Sequence, residues 1–137
     1  MCGFFAQIPF KNHKSFSKKK FIESSELISH RGPDDKKFFF SKTINLSFYR
    51  LSIIDQSSKA SQPMVSFSKN LIIVFNGEIY NAKKLRNKLV GYNFKSNSDT
   101  EVLLNLYHKF GEKCLEHLEG MFSFLIYNKN DNSCFIS

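Results

Sequence analysis

The sequence predicts an α+β fold in which antiparallel sheets are covered by helices. Three observations carry this reading. The segments run in the order strand, helix, several strands, helices, strands. Ile44, Leu46 and Phe48 alternate as one buried strand face does. Ser98-Asp99-Thr100-Glu101 forms a capping box ahead of apolar residues at helical spacing.

Taken in order, Gly3 to Phe10 is short, aromatic and apolar, with Pro9 at its end, and reads as a strand. A helix follows from about Ser17 to Ile28, with Phe21 and Ile28 on one side, and it stops before "HRGPDD" where Gly32 and Pro33 break it. "KKFFFS", "TINLSFYR" and "NLIIVFN" are rich in β-branched and aromatic residues and read as strands. Asn81 caps a short helix whose Leu85 and Leu89 lie one turn apart, and Gly91 ends it. The capping box leads into Val102, Leu103, Leu106, Tyr107 and Phe110, read as core, with Gly111 as the stop. A weaker helical stretch surrounds Leu115 and Leu118, and "MFSFLIYN" and "SCFIS" read as two more strands. The last of these runs into the chain end, an arrangement expected of an incomplete domain.

A chain of 137 residues suits one domain, 1–137, and can bury about two thirds of its unfolded surface. With 42% hydrophobic residues, and 16 phenylalanines, it is built to pack a core rather than stay disordered. The net charge of +8 raises the question of nucleic acid or an anionic membrane. The cations are scattered, however, and the densest run, Lys18-Lys19-Lys20 beside Lys14, reads as a solvated helix face. Neither nucleic acid nor membrane is therefore expected as a partner. Cys2, Cys114 and Cys134 form no CxxC pair and have no histidine at ligand spacing, which supports neither a metal site nor a disulfide framework. Cys114 and Cys134 stand among apolar residues and read as buried, inert thiols. No apolar run approaches the ~20 residues of a membrane span, and the first ten residues lack the regions of a signal peptide. The expected location is cytoplasmic.

The chain opens "MCGFFAQ". Removal of Met1, which a small second residue permits, leaves Cys2 with a thiol and a free α-amine in one residue. An amine titrating near pH ~8 can relay the thiol proton at neutral pH. Gly3 leaves room for a substrate to approach the backbone.

Six segments in this order, "MCGFFA", "SHRGPDD", "RLSIID" followed by "QPM", "VFNGEIYN", "SDTEVLL" and "EGMFSFLIYN", span nearly the whole chain. Together they resemble the glutaminase domain of class II glutamine amidotransferases, specifically the asparagine synthetase type. The resemblance implies an N-terminal nucleophile hydrolase fold, an αββα sandwich of two antiparallel sheets between helical layers. It implies that Cys2 attacks the side-chain amide of glutamine, forms a thioester and releases ammonia, and that water then frees glutamate. Asn76 and Gly77 match the family's oxyanion donors, the first through its side-chain amide and the second through its backbone N–H. Arg50 matches the clamp for the glutamine α-carboxylate and Asp99 the partner of its α-ammonium. Main chain at Leu51, Ser52, Ile53 and Ile54, with Glu78, is expected to line the same pocket.

For the glutaminase step the resemblance implies no cofactor and no metal. ATP and Mg belong to a synthetase domain, whose phosphate loop is absent here and which is expected to accept the ammonia for amidation of aspartate. A homodimer is a further candidate partner arrangement. The residues taken alone admit other readings: Arg50 as a surface cation, Asp99 as a first-turn acid complementing the helix dipole, and Asn76-Gly77 as a hairpin turn. "HRGPDD" reads as a helix stop, with no chemistry assigned to His30 or Asp34. The family usually places a histidine shortly before the arginine of "RLSIID", where this chain has Phe48 and Tyr49. A reading from another class keeps the fold without turnover: a truncated remnant, or a module that senses glutamine or binds a partner.

Overall fold

The computed structural model describes residues 2–9, 17–52, 55 and 57–137. Its elements are β1 (Gly3–Gln7), α1 (Lys18–Glu26), β2 (Asp35–Phe40), β3 (Asn45–Arg50), β4 (Met64–Val65), β5 (Leu71–Ile79), α2 (Ala82–Lys88), α3 (Asp99–Phe110), β6 (Gly120–Asn128) and β7 (Ser133–Ile136). Short 3-10 turns occupy Ser29–Arg31 and Ser58–Ala60, and a longer one Gly111–His117. One sheet has the order β1-β3-β2 and the other β4-β5-β6-β7, with every pairing of strands antiparallel.

Strand alternation builds the layers. Ile44, Leu46 and Phe48 meet Ile72, Val74, Leu125 and Tyr127 in a core between the two sheets. The opposite parity of the second sheet, Leu71, Ile73, Phe75, Phe124 and Ile126, packs against Leu85 of α2 and Val102, Leu103 and Leu106 of α3. On the far side of the first sheet α1 inserts Phe21, whose ring centroid lies 5.3 Å from that of Phe5 and 5.6 Å from that of Phe40. Tyr49 also faces α1, and its hydroxyl shares a 3.0 Å hydrogen bond with Ser25. The result is a four-layer sandwich of helix, sheet, sheet and helices, as the sequence predicts. Phe21 is fully buried, so Phe21→Ala leaves a cavity under α1. The expected cost is about 3–5 kcal/mol, read as a lower urea midpoint at unchanged slope.

Several local expectations need correction. The first helix ends at Glu26 rather than Ile28, and its Lys18, Lys19 and Lys20 form the exposed face expected of them. Phe10 lies outside the described residues. Ser98 caps α3 through Glu101 N–H at 3.3 Å, but the Glu101 carboxylate does not close the box. It accepts instead from Lys95 N–H at 2.8 Å and from Ser96 N–H and hydroxyl, each at 2.7 Å, fixing the loop that enters the helix. Phe110, expected in the core, is 40% exposed and lies outside the core cluster, its ring centroid 4.8 Å from that of His117. Asn81 precedes α2 without a side-chain cap. Its amide donates to His117 O at 2.9 Å and accepts from Glu119 N–H at 3.2 Å, tying α2 to the start of β6. Gly91 lies beyond the end of α2, whose last residue is Lys88. Cys114 is buried as expected, and burial pushes its thiol up to about 11. Cys134 is only half-buried.

Candidate active site

The register of β1 on β3 pairs Gly3 with Tyr49, so one further step sets Cys2 beside Arg50. Cys2 Sγ accepts the Leu51 N–H at 3.3 Å and lies 3.5 Å from Leu51 O. Its carbonyl accepts from Arg31 Nε at 3.0 Å. Arg31 belongs to "HRGPDD", which in sequence reads as a helix stop. The segment instead braces the site. A Cβ on Gly32 would stand 2.2 Å from Tyr49 O and 2.4 Å from Arg50 N, so only glycine lets the segment lie on β3. Beyond it, Asp34 N–H donates to Arg50 O at 2.9 Å, and the Asp34 carboxylate accepts the Ser52 N–H at 2.7 Å.

Arg50 is 7% exposed rather than a surface cation. Its guanidinium donates to Ser57 O at 2.9 Å, to Asp55 O, and to Ser61 Oγ at 3.3 Å. Ser61 in turn donates to Asp35 at 3.0 Å, which places a carboxylate behind the cation. The Asn97 N–H, at 2.7 Å, and the N–H and hydroxyl of Ser57 hold the Asp55 carboxyl below its usual range. That pairing joins the segment after β3 to the entrance of α3.

The opposite wall comes from β5. Asn76 has the parity of Ile72 and Val74, so it faces the first sheet, where Cys2 lies. The Asn-Gly pair does not form a hairpin turn: Asn76 and Gly77 lie inside β5, opposite Ser123 and Phe122 of β6. Gly77 has φ of +155°, and a Cβ there would stand 2.3 Å from Met121 O and 2.5 Å from Phe122 Cα. Along the edge of β5 away from β6, the Phe75 N–H is bonded to Gln62 and the Ile79 N–H to Asp99. Backbone groups of an antiparallel strand alternate sides, so the Gly77 N–H falls between those two, past the end of β4 and on the cavity side.

Asp99 sits 8% exposed in the first turn of α3. Burial pushes its carboxyl up from the ordinary range, and the negative charge of Glu78 adds to the rise. The N–H groups of Ile79 (3.1 Å) and Thr100 (2.9 Å) oppose it. Asp99 therefore combines its capping-turn position with a place in the cavity wall.

These groups surround a cavity of about 300 Å³. Cys2, Arg50, Leu51, Ser52, Asn76, Gly77, Glu78 and Asp99 all line it. Ile53 and Ile54, the other two expected pocket residues, lie outside the described residues. The lining also includes Phe48, Asp55, Gln62, Thr100 and Met121, which sequence reasoning did not place there. Phe48, where the family usually has histidine nearby, supplies an apolar wall, while Tyr49 points away to α1. Met121 is 68% exposed at the rim. Strand alternation and the place just ahead of "RLSIID" point to Phe48, and Asp55 closes that same segment. Among the described residues, no cluster of His, Cys, Asp and Glu is arranged to hold a metal. No helix among them is long and apolar enough to cross a membrane.

The sequence pattern of the glutamine amidotransferase domain family matches residues 1–137. The chain belongs to this family. Among its relatives, asparagine synthetase [glutamine-hydrolyzing] 1 of Bacillus subtilis (strain 168) is 41% identical over 96% of this chain and 21% of the relative. Asparagine synthetase [glutamine-hydrolyzing] 1 of Arabidopsis thaliana is 33% identical over 100% of this chain and 23% of the relative. The glutamine amidotransferase domain thus spans about a fifth of the length of these relatives. Among solved structures, glutamine phosphoribosylpyrophosphate amidotransferase from B. subtilis, complexed with ADP and GMP, superposes with a TM-score of 0.55 at 26% identity. The match covers 65% of this chain and 22% of that one. The α+β sandwich is accordingly of the N-terminal nucleophile amidotransferase type.

Proposed function

We propose that this glutamine amidotransferase domain hydrolyses glutamine to glutamate and ammonia through a thioester on Cys2. The observation that carries the reading is the convergence on one cavity of a thiol, a buried arginine, a buried aspartate and the asparagine-glycine pair of β5. After Met1 is removed, the Cys2 α-amine takes the thiol proton as Sγ attacks the amide carbon. The carbon–nitrogen bond then breaks, and the amine passes that proton to the departing ammonia. Water attacks the thioester carbonyl, giving glutamate and restoring the thiol. Asn76 Nδ2 and the Gly77 N–H stabilise the oxyanion of both tetrahedral intermediates.

Recognition of glutamine as a free amino acid falls to Arg50 at the α-carboxylate and Asp99 at the α-ammonium. Main chain at Leu51 and Ser52, together with Glu78, completes the pocket. The asparagine synthetase relatives extend the reading. The ammonia is consumed in ATP-dependent amidation of aspartate to asparagine by a synthetase module, where ATP and Mg belong.

Incubation with glutamine tests the core of this. Equimolar glutamate and ammonia are expected, and their absence contradicts it. The rise in the Asp99 carboxyl adds a pH signature. Protonated Asp99 is neutral and cannot pair with an ammonium, so the KM for glutamine is expected to climb as pH falls through the Asp99 pKa, above the ordinary value of 3.8. In Asp99→Asn the KM is high at every pH and that limb disappears.

A further inference from the structure

We infer that Gln62, from the "QPM" segment, is a positioning residue that sets the oxyanion donors, a role that rests on the glutaminase reading above. Its side chain does what a strand residue does. β4 pairs with β5 through Met64 opposite Ile73 and Val65 opposite Ile72, a register that brings position 62 opposite Phe75. No backbone rung forms there. Instead Gln62 Oε1 accepts the Phe75 N–H at 2.6 Å, and Gln62 Nε2 donates to Phe75 O at 3.2 Å. The amide thereby reproduces both bonds of a hydrogen-bonded antiparallel pair. The second Nε2 hydrogen goes to Thr100 Oγ1 at 3.2 Å. Gln62 is 6% exposed, and this arrangement uses both of its donor hydrogens, so it offers substrate none.

The two anchors are each one residue from the proposed machinery. Phe75 precedes Asn76, and Thr100 follows Asp99. Along the same strand edge Asp99 holds the Ile79 N–H at 3.1 Å. The Gly77 N–H therefore lies between two side-chain clamps, one from Gln62 and one from Asp99. Loss of the Gln62 clamp frees the N-terminal side of that donor and the Asn76 side chain together. Oxyanion donors act only when held at the right place, and misplacement by about 1 Å can cost on the order of 100-fold in rate.

The test compares the full chain with Gln62→Glu and Gln62→Leu, each first checked for folding by circular dichroism. A neutral glutamic acid keeps one acceptor and one donor; its carboxylate has no donor and faces the Phe75 carbonyl. Gln62→Glu is therefore expected to lose kcat by about 100-fold at high pH and to recover part of it as pH falls, with KM within about threefold of the parent. That added limb in the pH profile is absent from the parent. Gln62→Leu is expected to stay low in kcat at all pH values. Amide hydrogen exchange at Phe75, slow in the parent, is expected to quicken in Gln62→Leu, a readout independent of turnover. Parent-like kcat with a parent-like pH profile in Gln62→Glu overturns the inference, as does a loss confined to KM. If Gln62→Leu does not fold, Gln62→Glu alone decides. A parent chain without glutaminase activity overturns the underlying reading instead, and this inference with it.

Discussion

Cys2→Ala is expected to reduce glutamine-dependent ammonia release to background, a fall on the order of 10⁴-fold or more. The size follows from the chemistry. With no sulfur there is no thioester, and the oxyanion donors can assist only a poorly placed water. The fold loses little, since the thiol is only partly buried and its polar contacts are the N–H and carbonyl of Leu51 at 3.3 and 3.5 Å. The thermal midpoint is expected to stay within a few degrees of the parent. Glutamine binding survives as well, because Arg50 and Asp99 are fixed by their own partners and not by Cys2. Titration calorimetry on the variant is expected to give a Kd within about threefold of the parent KM. Cys2→Ser tests the same point more finely: a hydroxyl is a far weaker nucleophile at neutral pH, so binding persists while turnover stays close to background.

The second large effect is on stability. Gly77→Ala sets a Cβ against the Met121 carbonyl at 2.3 Å and Phe122 Cα at 2.5 Å, both on the neighbouring strand, while φ stands at +155°. Neither neighbour is a flexible side-chain end, so β5 and β6 must separate. Overpacking of about 1–3 kcal/mol adds to backbone strain of about 1–3 kcal/mol. Against a total stability of about 5–15 kcal/mol this is a large share, and the thermal midpoint is expected to drop by about 8–20 °C. Activity falls with it even below the midpoint, because the displaced strand carries Asn76. Differential scanning calorimetry and the ammonia assay at a temperature where both proteins are folded separate the two contributions.

Much of the architecture is legible in the sequence because local rules and tertiary demand agree there. Ile44, Leu46 and Phe48 alternate, and the structure buries them on one face. Ser98 caps α3, and Gly111 with φ of +60° ends it. Where the two diverge, pairing over long sequence distances wins. Asn76-Gly77 has the local signature of a tight turn, yet β6, more than 40 residues away in sequence, draws it into an extended ladder. Phe110 obeys the helical period but stands outside the core cluster, against His117. The thiol, arginine, asparagine and aspartate of the site were legible through their motifs. The supports were not. The contact of Arg31 with the Cys2 carbonyl, the seat of Gly32 on β3, and Gln62 standing in for a strand exist only once distant segments are folded together.

The central claim is that the processed chain begins with Cys2, whose sulfur and amine work as one unit. Intact-protein mass spectrometry before and after incubation with a glutamine analogue bearing an electrophilic side-chain ketone tests it most directly. The predicted result is a chain lacking Met1 that gains one adduct, mapped to Cys2 and blocked by excess glutamine. A chain that retains Met1, or carries an acylated amine, and still hydrolyses glutamine would contradict the account.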